Sequence, residues 1–558
     1  MKKIVSLLLA SAMLLAALTG CGTREASPSS NTRENPASSV TQNLPEPEPT
    51  QADMQSAESS AEEAAGAVEM PLADHDVTLG LWIEFPPFLE GTSYTTPAEF
   101  PFYQNLSEVS GINLNFTPIS MASASEQFNL AVASQSFPDI ICNPGYYTGS
   151  VDDAIENDVF FDATDLLPEY APNYLAVINR DDETRRAAYS QDGRVGVFWE
   201  IAKEAFPANS GLVIRQDWLD QVGMEAPKTY EQLHDVLSAF KDTFQAESPI
   251  YTDSNSIFLE LSSGYHFKED FINMDGTAVY SAGADQFKDY VKMMNQWYQE
   301  GLIYKDYYVY SENNVESDEV KTRLVDLEQV GVFYNWCEDL ERYEVANPDF
   351  ALTAITNPTV KEGDEVHLCS GVDPMVSTSG GWALSTNCSE ENVPFAMQLI
   401  DYLYTEEGAM LANWGIEGET YYIQEDGTPR YTDLVLNNPD FATNMAIGLY
   451  CVFRGPILSD LSRFNQNVVG KLKEYCDVWG VQDNSYLMPA VSMNAADSER
   501  FNSLKNDIDT ALDENLPLFI IGDRSISELD AFLAQLDSMG LPEMVELEQA
   551  ALDAYYTK

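Results

Sequence analysis

From Val77 to Tyr146 the chain alternates short apolar runs with stretches of helical period, and this alternation constrains the fold more than any other feature. Val77-Thr78-Leu79-Gly80-Leu81-Trp82-Ile83 suits a buried first strand. A helix-like stretch from Phe102 to Ser110 follows, then Ile112-Asn113-Leu114-Asn115-Phe116, which alternates as a strand does. A helix over Glu126 to Ala133 leads into Pro138-Asp139-Ile140-Ile141, a strand ending in the loop Asn143-Pro144-Gly145-Tyr146. Strand and helix in turn predict an α/β layered sheet. In such sheets ligands sit beyond the carboxyl ends of strands, which directs attention to the loops after Trp82 and Ile141.

The pattern continues along the chain. Ser210 to Arg215 reads as another strand. Thr229 with Gln232 three residues on opens a capping box, and Leu233, Val236, Leu237, Phe240 and Phe244 share one helix face. Further helices are expected over Asp285 to Glu300 with Gly301 as a stop, over Pro394 to Thr405, and over Ser527 to Ser538 before Gly540 and Pro542. No internal repeat is present. At about 150 residues per domain, 558 residues suggest two to four units.

Charge narrows the function. Lys and Arg number 29 against 90 Asp and Glu, a formal charge of −61 with no basic run to offset it. Such a chain repels phosphate backbones, so nucleic acid is excluded as a partner. A polyanionic ligand would need a local cluster such as Arg180, Arg185 and Arg186 to override that field at short range.

The N-terminus carries targeting information. Met1-Lys2-Lys3 precede an apolar stretch from Ile4 to Leu18, then Leu18-Thr19-Gly20-Cys21. This ending resembles the bacterial lipoprotein box. The resemblance implies that residues 1–20 are removed as a signal peptide and that Cys21 is acylated, palmitate included, and becomes the membrane anchor. The apolar stretch falls short of the roughly 20 residues a spanning helix needs. Residues 21–75, rich in Ser, Pro, Glu and Ala, cannot bury enough surface to order themselves and read as a disordered tether. Flexible-chain scaling gives it a reach of roughly 40 Å.

Of seven cysteines, six remain after Cys21, with no C-x-x-C and no Cys/His spacing for zinc, and buried free thiols are the expected state. The four histidines are scattered, and G-x-S-x-G, P-loop, G-x-G-x-x-G and EF-hand patterns are absent. No metal or cofactor is expected. A pair of carboxylates for glycoside hydrolysis stays open, because 90 acids make any spacing available.

Aromatic placement points to a sugar. Trp82 ends a strand, Tyr146 and Tyr147 occupy a post-strand loop, and Trp199, Trp336 and Trp382 follow Gly-containing apolar runs; Trp414 lies in Asn413-Trp414-Gly415. Rings beside polar groups such as Glu84, Asn335, Glu338 and Asp339 suit a carbohydrate, whose C–H faces stack while its hydroxyls hydrogen-bond. Trp218 and Trp297 lie on helices and are assigned to core contacts.

Several segments together resemble the extracellular solute-binding proteins of bacterial ABC transporters, in particular the larger lipoprotein members of the sugar-binding family 1 group. They are the box at Leu18 to Cys21; Phe137-Pro138-Asp139-Ile140-Ile141; Gln191-Asp192-Gly193-Arg194-Val195-Gly196; Ile214-Arg215-Gln216-Asp217-Trp218-Leu219 with Gly223, Pro227, Lys228 and Thr229; Tyr298 to Ile303; Tyr402 to Gly408 running into Gly415 to Gly418; and Ser527 to Tyr556. The resemblance implies a two-lobed periplasmic-binding-protein-like α/β fold with a hinge and an interlobe ligand cleft. The first lobe is expected over 76–206 and 356–404, the second over 207–355 and 405–558. It further implies a monomeric, non-enzymatic protein lipid-anchored at the extracellular face of the cell membrane, which captures an oligosaccharide and delivers it to ABC permease subunits. Trp336 is the expected stacking residue of the second lobe, with Trp82 and Tyr146 facing it. Some relatives carry a calcium loop after the helix that here spans Thr229 to Phe244; Gln245-Ala246-Glu247-Ser248-Pro249 departs from it, and calcium is not carried over. A peptide or other small-solute cargo, a sensor role beside a histidine kinase, and a surface glycoside hydrolase remain as alternatives.

Overall fold

Ten strands form two separate sheets: β1 (Thr78–Phe85), β2 (Asn113–Ser120), β3 (Ile140–Cys142), β4 (Phe198–Ala202), β5 (Ser210–Arg215), β6 (Ser248–Ile250), β7 (Val330–Trp336), β8 (Leu352–Ala354), β9 (Val376–Leu384) and β10 (Leu458–Ser459). The computed structural model describes residues 68–557 apart from 87–88, 90–92, 205–207, 255, 259, 310–314, 327, 338–339, 341–342, 344–349, 370–374, 442, 453, 465, 467 and 469. The signal segment, Cys21 and most of the tether therefore lie outside the described residues, as does Glu338.

The first sheet has the order β10-β4-β9-β3-β1-β2. β1 runs parallel to both β2 and β3, whereas β9 is antiparallel to β3 and β4. Leu79, Leu81, Trp82 and Ile83 are all buried, the continuous apolar run of a strand covered on both faces. Asp139, inside the Phe137 to Ile141 segment, accepts from the Gly80 amide at 2.7 Å and from the Asn392 side chain at 3.2 Å, tying β1 to a later helix.

The second sheet has the order β8-β5-β7-β6. Period-two alternation divides its side chains. Leu212, Ile214, Val332 and Tyr334 join a core with the helices Tyr230–Phe244, Phe287–Gln299 and Ala495–Ile521, while Val213 and Phe333 meet Tyr475 and Trp479 on the other face. The helix from Tyr230 opens on the Thr229 cap its sequence predicts, Thr229 Oγ1 accepting from the Gln232 amide at 3.2 Å, but Gln232 Oε1 accepts from the Lys228 amide at 2.8 Å rather than from that of Thr229. Gly211 is required by close approach, since a Cβ there would lie 2.6 Å from the Trp479 indole.

The chain crosses between lobes three times, and the third crossing comes later than expected. Helix Glu406–Trp414 places Ala412 in the first core, and β10 pairs with β4, so the first lobe continues to Ser459 rather than ending at 404. Conversely, residues 356–369 stay with the second lobe, where Thr359 and Lys228 bond at 3.0 Å and the His367 carbonyl accepts from Tyr486 at 3.1 Å. A satellite core of Trp414, Tyr421, Tyr431 and Ile447 fills the late return. Among the described residues no helix is long and apolar enough to cross a membrane. The six described cysteines are free thiols, five of them buried.

Candidate functional site

A cleft of about 600 Å³ is lined by both lobes. The first lobe contributes the loop after β3 (Gly145, Tyr147, Thr148), Phe160, Ser190 and Trp199. The second contributes Lys268, Asp270, Phe271, the segment Leu487–Met493, and Ser498, Phe501, Asn502, Lys505 and Glu548. The Asn502 amide donates to the Thr148 carbonyl at 2.9 Å, a direct tie between the walls.

The first-lobe wall is set by its sequence. Ser150 caps the helix Val151–Glu156, accepting from the Asp153 amide while Asp153 accepts from the Ser150 amide. The Gln191-Asp192-Gly193-Arg194 turn, with Gly193 at φ +76°, returns Arg194 onto buried Asp152 at 2.8 Å, and Asp152 also accepts from Ser190 Oγ at 2.6 Å. Trp199, at the end nearest this turn, donates its indole N–H to the Ala188 carbonyl at 3.3 Å. One ring is thereby fixed against the cleft.

The second-lobe wall carries the charge. Lys505 Nζ lies 3.2 Å from Asp270 and 2.7 Å from Asp509. Burial opposes its charge, but Asp270 and Asp509 together hold the ammonium above its usual range. Lys268 is pulled down by burial, which its acidic neighbours Asp270 and Glu269 only partly offset. Glu548 is pushed up to about 7 by burial and then by Asp270, against the opposing pull of Lys505. The wall thus holds two ammonium groups and a carboxyl poised near neutrality.

Among the described residues, Trp199 and Tyr147 are the aromatic positions expected from sequence that line this cleft. Trp82 is 3% exposed and packs edge-on against Phe128, Phe137 and Tyr146 at 5.5, 5.9 and 6.2 Å, so its ring is core rather than platform. Trp382 and Trp414, each 1% exposed, are likewise core: β9 is the centre of its sheet, and the Trp414 ring lies tilted against Tyr431 with centroids 4.8 Å apart. A tryptophan reads alike in sequence whether its ring turns inward or outward, and the rings of these three turn inward. Trp218 and Trp297 are buried, as their helical positions imply.

Glu84 and Tyr146 do come together. The Tyr146 hydroxyl donates to Glu84 Oε1, and Asn143 donates to Glu84 Oε2 at 3.0 Å. Burial and this carboxylate raise the phenol well above its usual range. Trp336 ends β7 opposite Ser210 and is 43% exposed. Beside it Asn335 is buried, its carbonyl accepting from Lys321 at 3.5 Å, and Asn335 Nδ2, Ser210 Oγ and Asn209 Oδ1 are buried polar atoms without a partner. An exposed indole bordered by unsatisfied polar atoms is a second aromatic position, outside the cleft lined by Trp199.

Lys268, Asp270, Asn502, Lys505 and Glu548 were not legible in the sequence. In a chain with 90 acids an individual carboxylate carries no signal; the rarity of lysine was the available hint. Of the cluster Arg180, Arg185 and Arg186, Arg180 pairs with Asp181 and Arg185 with Asp182, both at 3.1 Å.

The turn after Tyr230–Phe244 does not fit calcium. Ca²⁺ takes about six to eight oxygen ligands. Here the single carboxylate, Glu247, faces Lys305 at 3.7 Å, and Ser248 Oγ donates to the Ile250 carbonyl. Among the described residues no group of three or more His, Cys, Asp or Glu side chains could hold a metal ion.

Two α/β lobes with a cleft between them define a solute-binding fold. Residues 103–418, more than half of the chain, match the bacterial extracellular solute-binding proteins, and the chain belongs to that family. It is 22% identical over 496 residues to the fructooligosaccharide ABC transporter substrate-binding protein FusA of Streptococcus pneumoniae serotype 4, covering 82% of this chain and 88% of that protein. To the polygalacturonan/rhamnogalacturonan-binding protein YtcQ of Bacillus subtilis it is 22% identical over 468 residues, 80% of this chain and 87% of the relative. Among solved structures, the alginate-binding protein AlgQ2 superposes with a TM-score of 0.69 at 21% identity, over 86% of this chain and 99% of that one.

Proposed function

We propose that the protein is the membrane-anchored substrate-binding component of an ABC transporter and that it captures an oligosaccharide between its lobes for delivery to the permease. The observation that carries this reading is the composition of the cleft, whose lining sets Tyr147, Trp199 and Phe501 beside Thr148, Ser190, Ser492, Ser498 and Asn502. Aromatic rings together with hydrogen-bonding side chains suit a sugar, whose C–H faces pack on the rings while its hydroxyls hydrogen-bond. The carbohydrate names borne by FusA and YtcQ support the same class. Closure supplies the mechanism: a ligand touching both walls stabilises the closed state by the difference between its affinities for the closed and open states. Anchoring rests on the box at Leu18 to Cys21.

The cargo is bound and released unchanged, as expected of a binding protein rather than a hydrolase. The compact unit Ala64–Lys558 is screened by thermal shift against mono- and oligosaccharides, amino acids and short peptides, and the bound molecule is recovered for chromatography. A rise in melting temperature with an intact glycan supports the reading. A shift with peptides alone overturns the sugar assignment, and cleavage of the glycan establishes an enzyme.

A further inference from the structure

We infer that Glu548 contacts the cargo, its carboxylate accepting hydrogen bonds from the hydroxyls of a sugar unit in the cleft, and that the wall around it selects neutral units over uronates. This inference rests on the carbohydrate reading above and deepens it.

Three observations carry it. Glu548 stands on the helix Leu541–Thr557, whose Met544, Ala551 and Leu552 are buried in the second lobe, and it is itself 6% exposed while lining the cleft. A well-packed element thus presents a carboxyl to the space between the lobes. Next, that carboxyl has no hydrogen-bond or ion-pair partner among the described residues; Asp270 and Lys505 reach it through their charge alone. A buried carboxyl left unbonded costs free energy that a donor from outside would recover. Its neighbours are already engaged: Lys505 lies 3.2 Å from Asp270 and 2.7 Å from Asp509, and the Tyr280 hydroxyl donates to Asp509. The hydroxyls of a sugar ring fit, because a carboxylate accepts two at once and its charge strengthens each bond. Finally, the wall holds carboxyls in excess. Glu269, Asp270, Asp509 and Glu548 stand against Lys268 and Lys505, and the acidic neighbours of Lys268 are Asp270 and Glu269. A uronate brought here adds a carboxylate to a wall where Asp270 already repels the ionised form of Glu548. A neutral ring of the same shape meets no such repulsion.

The test is calorimetry of the unit Ala64–Lys558, wild type and Glu548→Gln, against inulin-type fructans, xylo-oligosaccharides and oligogalacturonides, the last as free acids and as methyl esters. Each titration is run at pH 6 and pH 8 in buffers of different ionisation enthalpy, which counts the protons exchanged on binding. Hydroxyls that hydrogen-bond the carboxylate favour its ionised form. With the free group titrating at about 7, the wild type is expected to bind a neutral glycan about tenfold more weakly at pH 6 than at pH 8 and to release about one proton per cargo at pH 6. Glu548→Gln is expected to lose the pH slope and the proton release, and to bind about tenfold more weakly than the wild type at pH 8. A purely structural role would move the melting curve of the variant without touching the proton count, and the wild-type proton count reads out whether or not the variant folds. A glycan bound with no proton release by the wild type, or with the same slope in both proteins, overturns the inference and leaves the carbohydrate reading standing. Tighter binding of the free acid than of its methyl ester overturns the selection for neutral units. Binding of peptides and of no glycan overturns the carbohydrate reading and this inference together.

Discussion

Asn502 donates its side-chain amide to the Thr148 carbonyl at 2.9 Å, and through this bond the long helix of the second lobe touches the ligand loop of the first. The acceptor is a backbone group, so no substitution at Thr148 removes it. Replacing Asn502 with Leu keeps the volume and deletes the donor. A hydrogen bond of this kind contributes about 1 kcal/mol net. The variant is expected to bind cargo several-fold more weakly by calorimetry and to show a larger ligand-free radius of gyration by X-ray scattering. Unchanged values of both would remove this contact from the closure mechanism.

The tryptophans separate by experiment as they separate in space. Trp336→Ala removes an exposed indole that lies outside the cleft lined by Trp199, and is expected to leave both the unfolding midpoint and the affinity for a cargo held in that cleft in place. Trp82→Ala empties a core position and is expected to cost about 3–5 kcal/mol of folding stability, with the affinity of the folded fraction unaltered. Calorimetry paired with urea unfolding reads both. The reverse pattern would restore Trp82 as a ligand platform.

Glu548 makes stability depend on pH. Its carboxyl titrates at about 7 in the fold against 4.5 unexposed, so the folded state holds the proton more tightly. Stability from this group is fully present below pH 4.5 and is lost as pH rises through 7, by up to roughly 3 kcal/mol. Glu548→Gln, neutral throughout, is expected to be more stable than the wild type at pH 8 and to lose part of the wild type's pH slope. Parallel stability curves for the two proteins between pH 4 and 8 would show that burial does not act on this carboxyl.

Gly211→Val is expected to fail at the second sheet. The new side chain would overlap the Trp479 indole, whose N–H is held by the Leu212 carbonyl at 3.0 Å. Overpacking of this kind costs about 1–3 kcal/mol or more. A lowered denaturation midpoint with loss of tryptophan fluorescence change on unfolding checks it; Gly480→Ala, near only the Cys476 carbonyl at 3.1 Å, is the milder comparison.

The frame of this protein was legible where local chemistry decides it. The β1 run, the Thr229 cap and the Gly301 stop all act through neighbours in sequence, and the structure has them at Thr78–Phe85, Tyr230–Phe244 and after Phe287–Gln299. The segments that carried the family resemblance prove to hold the frame: Asp139 ties β1, Arg194 pins Asp152, and Arg215 pairs with Asp217 at 2.5 Å while lying over Phe350. The cleft was less legible because its walls come from segments some 350 residues apart, as Thr148 and Asn502 show, and nothing local marks which carboxylate or ring will face its counterpart. The late return of β10 to the first sheet was hidden for the same reason, since two residues paired to β4 leave no periodic signal.

Capture of an intact glycan between the lobes is tested by titrating the unit Ala64–Lys558 with size-graded oligosaccharides in a calorimeter and analysing the bound glycan afterwards. Saturable binding at one cargo per chain is expected, weakened by Trp199→Ala, with the glycan recovered intact. Binding of peptides but no glycan, or recovery of a shortened glycan, would contradict it.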